Sequence, residues 1–387
     1  MRIYLDHNAT TPLDPQVVDR MAQAMREVWG NASSVHHFGQ QAKAALDGAR
    51  GQVASLLGAD ASEIVFTAGG TESDNLAIRG AAEALEPSGR KHLVTSAIEH
   101  EAVLNTMKSL AKRGWRVTAV PVDASGIVSL DRLRAAVTDD TALVSVMHAN
   151  NEIGTIQPIA GLAAIAHERG ALFHTDAVQS AGKIPIDVRA LGVDLLTIAG
   201  HKLYGPKGTG ALWVKRGVRL IAPMTGGRQE RSRRAGTENV PALVGFGVAA
   251  ELAKQKPALE GPRLAALRDR LEAGLLSSVS GTERNGAASP RVANTTNISI
   301  DRVEAESLLI GLDLAGIAVS SGSACSSGTL EPSHVLKAMG LPHGRTLGSI
   351  RFSLGTSNTE ADVDRVLEVL PPLVEKLRSL TTVGSKR

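Results

Sequence analysis

The chain has 387 residues, 43% of them hydrophobic, and its 42 Lys and Arg against 39 Asp and Glu leave a net charge of +3. That length points to two domains with enough apolar sequence for a sizeable core, and so small a charge excess leaves no footprint for nucleic acid. The single cysteine, Cys325, excludes an internal disulfide and any multi-cysteine metal site built by this chain alone, and no segment approaches the ~20 consecutive apolar residues of a membrane span.

The first stretch, "MRIYLDHNATTP", lacks the apolar run of a signal peptide, so a cytoplasmic protein is expected. Short apolar runs follow at 63–67 (EIVFT), 92–96 (HLVTS), 142–148 (ALVSVMH), 171–176 (ALFHTD) and 194–200 (DLLTIAG). Separated by amphipathic helical patterns, they predict buried parallel strands of an α/β sheet. Polar residues gather where the strands end, at Thr67 to Thr71, His148 to Asn151, Asp176 to Gln179 and Gly200 to Lys202. Ligands of open parallel sheets bind at the carboxyl ends of the strands, so the four clusters predict one site. The stretch "AKQKPALEGPRL" (253–264) interrupts the pattern with two prolines and a glycine. It sets the expected division: a large domain over 12–257, and a smaller α+β domain from 1–11 and 258–387. The smaller domain holds strands at 294–300 (NTTNISI) and 349–354 (SIRFSL), together with Cys325.

Three features carry chemistry. In "FTAGGTESDNLAI" a glycine turn opens a helix whose first turn contains Thr71, Glu72 and Ser73, an arrangement that suits a phosphate. Alone, that segment reads more simply as an ordinary turn capped by Thr71. Neither a Walker lysine loop nor a G-x-G-x-x-G turn is present, so the phosphate belongs to something other than a nucleotide. Lys202 follows a buried strand directly, where desolvation would depress its pKa and prepare it to capture an aldehyde. A lysine in such a loop is otherwise a surface group. Asp176 tips the balance: at a strand end, its carboxylate needs a cationic partner, and the protonated ring nitrogen of pyridoxal phosphate is one.

With "YLDHNATTP", "GNASSVHHFGQQA", "EHEAV", "HANNEIGTIQPI", "HTDAVQSAGK", "GHKLYGPKGTGAL", "RAGTEN", "SSGSACSSGTLEPSHVL" and "SIRFSLG" in this order, nearly the whole chain resembles the cysteine desulfurases of the nitrogen-fixation and housekeeping iron–sulfur type (NifS/IscS-like). These are pyridoxal 5'-phosphate enzymes of the aspartate-aminotransferase fold (fold type I, class V). The resemblance implies a large domain with a mainly parallel sheet and a smaller α+β C-terminal domain. It makes Lys202 the aldehyde-capturing lysine, Asp176 the partner of the pyridine nitrogen and His100 the imidazole stacked on the ring. Gln179 and Asn151 match positions at the phenolic oxygen and the substrate side of the ring. Gly70, Thr71, Gly200 and His201 match the cofactor's binding turns, Thr237 a residue that reaches the neighbouring subunit's phosphate, and Arg351 the guanidinium that grips the substrate carboxylate.

By the same resemblance, L-cysteine is converted to L-alanine while Cys325 takes the sulfur as a persulfide and hands it to an acceptor such as an iron–sulfur scaffold. Transient cluster ligation by Cys325 beside that scaffold is open as well, and Thr237 implies a homodimer. Small polar residues and two glycines around Cys325 predict a mobile loop that closes over the cofactor and opens to the acceptor. Two departures stand out: Ala199 occupies the place of a serine that donates to the phosphate, and Ala32 that of a proline. A selenocysteine lyase or another β-eliminating enzyme of this fold, an ordinary aminotransferase, and an inactive sulfur-relay or scaffold subunit are the competing readings.

Overall fold

The structure, a computed structural model, describes residues 2–286, 290–321 and 332–384. After a short β1 (Ile3–Tyr4) the chain forms β2 (Ile64–Thr67), β3 (His92–Ser96), β4 (Arg116–Val120), β5 (Thr141–Ser145), β6 (Leu172–Asp176), β7 (Leu195–Ala199) and β8 (Gly210–Val214). Strands β2 to β8 make one sheet in the order β2-β8-β7-β6-β5-β3-β4. The pairs from β7 to β4 are parallel, whereas β8 runs antiparallel to both of its neighbours.

This differs from the predicted sheet in two places. EIVFT is not paired as a parallel strand, because β8 lies between it and β7. The half-exposed edge strand β4 lacks the continuous apolar run that marks its neighbours, since only one of its faces needs covering.

Neighbouring residues on these strands enter opposite cores, as a pleated strand with both faces covered requires. Val65, Leu93, Leu143, Leu195 and Leu212 pack on one side with the helices α3 (Gly70–Leu85) and α4 (Glu101–Ala111). Phe66, Val94, Val144, Leu196 and Trp213 pack on the other, against a core that includes Val53 and Leu57. The latter residues come from α2 (His37–Leu57), which follows α1 (Pro15–Glu27).

The turn after β2 leads into α3 (Gly70–Leu85), which buries Leu76, Ala77, Ile78, Ala81 and Ala82. Its N-cap is Gly69, with φ 153° and ψ −179° and no side-chain cap, so Thr71 does not close this end in the ordinary way. Only glycine adopts that backbone readily. The fourth helix, α4 (Glu101–Ala111), starts at His100.

Beyond the helices Val240–Leu259 and Gly261–Ser278, the chain builds a second, antiparallel sheet from β9 (Thr282–Asn285), β10 (Thr295–Ile300) and β12 (Ser349–Ser353), while β11 (Ile317–Ala318) pairs in parallel with β1. Leu5 enters the core of this region with Leu271, Ile298, Ile350 and Phe352. The start of the chain therefore packs with its end. Pro257 lies inside one helix and Pro262 in the first turn of the next, which leaves Glu260 as the only break between them. We place the boundary between the two units there, on the strength of their separate cores. No helix among the described residues is long and apolar enough to cross a membrane.

Candidate active site

A cavity of about 840 Å³ lies against the first turn of α3, with Gly70, Thr71, Arg79, His201, Lys207 and Arg233 on its wall. Backbone N–H groups of a 16-residue helix and several cations face it, the chemistry of an anion site. Gly70 must stay small: a Cβ there would stand 3.0 Å from Val178 Cγ2 and 3.7 Å from Ala199 Cβ. Ala199 thus borders the phosphate turn and brings no hydroxyl to it. Burial, then Lys202 and Lys207, holds the His201 imidazole down to about 4, and its Nδ1 lies 3.2 Å from Thr10 Oγ1.

Asp176 ends β6, only 5% exposed, and its Oδ1 accepts the Val178 N–H at 2.9 Å. Burial raises its proton affinity, while the nearby His100 and Lys202 pull it back. His100 caps α4, accepting the Ala102 N–H on Nδ1 at 3.1 Å. That bond leaves Nε2 to carry the proton of the neutral ring. Lys202 closes the tight turn Gly200–Lys202, and Nζ donates to the carbonyls of Asn8 at 2.5 Å and Ala9 at 2.6 Å. Gly200 is fixed by close approach, since a Cβ would come within 2.3 Å of Thr209 Oγ1. Lys202 lines a second cavity, of about 40 Å³, rather than the larger one.

Gln179 and Asn151 join this cluster through Asn8. Gln179 Nε2 donates to the Asn8 carbonyl at 2.9 Å, and Asn8 Nδ2 donates to the Asn151 carbonyl at 3.1 Å. The same Asn151 carbonyl accepts from Arg351 Nη1 at 3.0 Å, while Arg351 Nη2 grips Asp6 Oδ1 at 2.6 Å. Arg351 is therefore held at the seam between the two sheets with part of its fork engaged. Thr237 is exposed in the loop before the helix Val240–Leu259 and is not on the wall of its own chain's cavity. Cys325 and its predicted loop lie outside the described residues.

Several residues of the site escape sequence reasoning. Asn8 is 2% exposed and ties Lys202, Gln179 and Asn151 to Thr295, Asn294 and Ser353 of the smaller sheet region. A lone polar residue in a non-periodic stretch carries no signal of that role. Beneath Asp176, His174 bonds Ser145 Oγ at 2.8 Å and Thr197 Oγ1 at 3.0 Å, with Asp74 Oδ1 3.6 Å away. Burial pushes Asp74 up and His174 down to about 3, so these two form a neutral pair rather than an ion pair. Glu99, next to His100, is likewise pushed up to about 8 by burial.

The residues fit pyridoxal phosphate: a cationic, helix-capped anion site, a buried carboxylate suited to a ring N–H, and the amine of Lys202 in the turn beside His201. The comparisons agree. The aminotransferase class-V family model matches residues 3–366. "Cysteine desulfurase 2" of Trichormus variabilis is 52% identical over 379 residues, covering 98% of this chain and 94% of that protein. "Cysteine desulfurase IscS" of Methanosarcina thermophila is 51% identical over 384 residues, covering 99% and 95%. Among solved structures, a NifS-like protein superposes with TM-score 0.91 at 38% identity, covering 97% of this chain and all of the other, and SspA in complex with cysteine with TM-score 0.82 at 36% identity, covering 92% and 99%. The chain belongs to the class-V aminotransferase family, and within it to the pyridoxal-phosphate-dependent cysteine desulfurases.

Proposed function

We propose that Lys202, His100 and Cys325 perform the desulfuration of L-cysteine, with Gly70, Thr71, Gly200 and His201 holding the cofactor phosphate end and Asp176 its ring nitrogen. Gln179 and Asn151 border the ring, and Arg351 receives the substrate carboxylate. When bound, the cofactor supplies an aldehyde for amine capture and an electron sink for the substrate's α-carbon. Lys202 then takes the α-proton on Nζ, and His100, with its Nε2 proton, serves the proton transfers that follow. Asp176 would hold the ring nitrogen of the bound cofactor, whose positive charge would favour the carboxylate form that burial alone opposes. The Cys325 thiolate attacks the substrate sulfur: an S–S bond forms and the Cβ–S bond breaks. The electron pair of that bond stays with carbon, which gains a proton and becomes the methyl group of alanine.

One observation carries the role of Cys325. The segment that contains it leaves the described residues from Ser320 and Ser321 and returns at Pro332 and Ser333. Ser320 exchanges main-chain bonds with Arg351, at 2.6 and 3.2 Å. Ser333 Oγ bonds Glu152 Oε2 at 2.5 Å, and His334 Nε2 lies 2.9 Å from the carbonyl of Glu99, beside His100. The described residues on either side of the Cys325 segment are thus bonded to Arg351 on one flank and to the carbonyl of Glu99, beside His100, on the other. Mass spectrometry after a single turnover with cysteine, with thiols alkylated, tests the assignment. One extra sulfur on the Cys325 peptide supports it; extra sulfur elsewhere, or none, rejects it.

A second copy of the chain is part of this reading. Thr237 stands exposed and away from its own cavity, as a residue serving a neighbouring subunit would. The sulfur acceptor is a second protein, a scaffold for iron–sulfur assembly by this reading, met in the cytoplasm. A solution mass of one chain would remove the role of Thr237.

A further inference from the structure

Lys183 has no part in the chemistry above, yet it follows Gln179 by four residues in the same turn segment and shares a hub with Lys202. Its Nζ donates to Asn8 Oδ1 at 2.7 Å and to Gln179 Oε1 at 2.8 Å. The amide orientations are fixed by the network. Gln179 Nε2 faces the Asn8 carbonyl, and Asn8 Nδ2 faces the Asn151 carbonyl, both of which can only accept. Oε1 of Gln179 and Oδ1 of Asn8 must therefore be the acceptors for Lys183. Burial, then Lys202 and Arg351, drives the Lys183 pKa well below its usual value. With or without its third proton, the amine still has the two N–H groups these bonds require.

We propose that Lys183 is a positioning residue: by holding Oε1 of Gln179 it commits that amide to present its remaining N–H, and not its oxygen, to the cofactor's phenolic oxygen. A Gln amide has two N–H groups, and one is taken by Asn8. Turned over, the same amide would set its oxygen against both the Asn8 carbonyl and the phenolic oxygen, so Lys183 reinforces the orientation that the Asn8 carbonyl already favours. With the cofactor bound, donation to its phenolic oxygen would favour the charged form of that oxygen. Lys183 would thereby lower the pH at which the visible chromophore of the holoenzyme loses its proton. This inference rests on the reading that Gln179 borders the ring.

The test is a pH titration of the visible absorption band of the substrate-free holoenzyme, for the native chain, Lys183→Met, Lys183→Gln, Gln179→Ala and the Lys183→Met/Gln179→Ala double variant. Gln179→Ala and Lys183→Met are each expected to raise the midpoint by about half a pH unit or more, and the double variant no further than the larger single shift. Lys183→Gln keeps an N–H donor without the charge and is expected to stay nearer the native midpoint. It also stands in should Lys183→Met not fold. A Lys183 variant that titrates like the native enzyme while Gln179→Ala shifts overturns the role of Lys183. Additive shifts in the double variant overturn the route through Gln179. If Gln179→Ala does not move the midpoint, the placing of Gln179 at the ring is what fails.

Discussion

Arg351 and Ser320 are joined through their main chains, Arg351 N to Ser320 O at 2.6 Å and Ser320 N to Arg351 O at 3.2 Å. The strand that presents the proposed carboxylate-binding guanidinium is thus the strand on which the Cys325 segment begins. On the proposed roles Arg351 acts in substrate binding, so a change there is expected to show first in KM.

Replacing Arg351 by lysine keeps a charge but loses the fork that bonds Asp6 and Asn151 and would clasp a carboxylate. Hydrogen bonds to charged groups contribute about 1.5–3 kcal/mol, so KM for cysteine should rise on the order of 10- to 100-fold with a smaller change in kcat. Steady-state kinetics of Arg351→Lys check this; an unchanged KM would remove Arg351 from the substrate site.

Ala199 offers a gain rather than a loss. Its Cβ lies beside the Gly70 turn, and a hydroxyl there would add one donor to the phosphate. One such bond contributes about 0.5–1.5 kcal/mol net, so Ala199→Ser should tighten cofactor binding by roughly 2- to 10-fold. Equilibrium titration of the cofactor-free chain reads it directly, and equal affinity would mean that the hydroxyl does not reach the phosphate.

Glu99 gives a pH signature. Fully buried, bonded to Ser96 and the Met147 N–H, it is raised from 4.5 to about 8 by burial. It therefore holds a proton in the native state that the unfolded chain has already released at neutral pH. The stability it lends is complete below about pH 4.5 and is lost as the pH rises through about 8. Glu99→Gln, which keeps the shape and cannot ionise, should lose on the order of 1–3 kcal/mol less stability than the native chain between about pH 6 and pH 9. Denaturant unfolding across that range measures the difference; parallel curves would show that Glu99 is ionised in the native state.

How far the sequence could be read depended on whether a residue acts through its neighbours in the chain or across the fold. The runs at 92–96, 142–148, 171–176 and 194–200 are buried on both faces, so their apolar continuity announces strands. Exposed β4 lacks it, while β8, whose GALWV run is buried throughout, is masked by the glycine-rich stretch that leads into it from Lys202. Lys202, Asp176 and Thr71 could be singled out as candidates because each lies at or just beyond a strand's end in a local motif. Asn8, Lys183 and His174 could not. Most of their bonds reach partners tens to hundreds of positions away, such as those of Asn8 to Asn151, Thr295 and Ser353 and of Lys183 to Asn8, and no local pattern encodes those.

The most direct measurement of the central claim is the release of alanine and sulfide from L-cysteine in the presence of a reductant, comparing the native holoenzyme with Cys325→Ala and running L-selenocysteine in parallel. Equimolar alanine and sulfide from the native enzyme, abolished with cysteine in the variant, is the predicted result. A Cys325→Ala variant as active on cysteine as the native enzyme, or a native enzyme that turns over only selenocysteine, would contradict the persulfide mechanism.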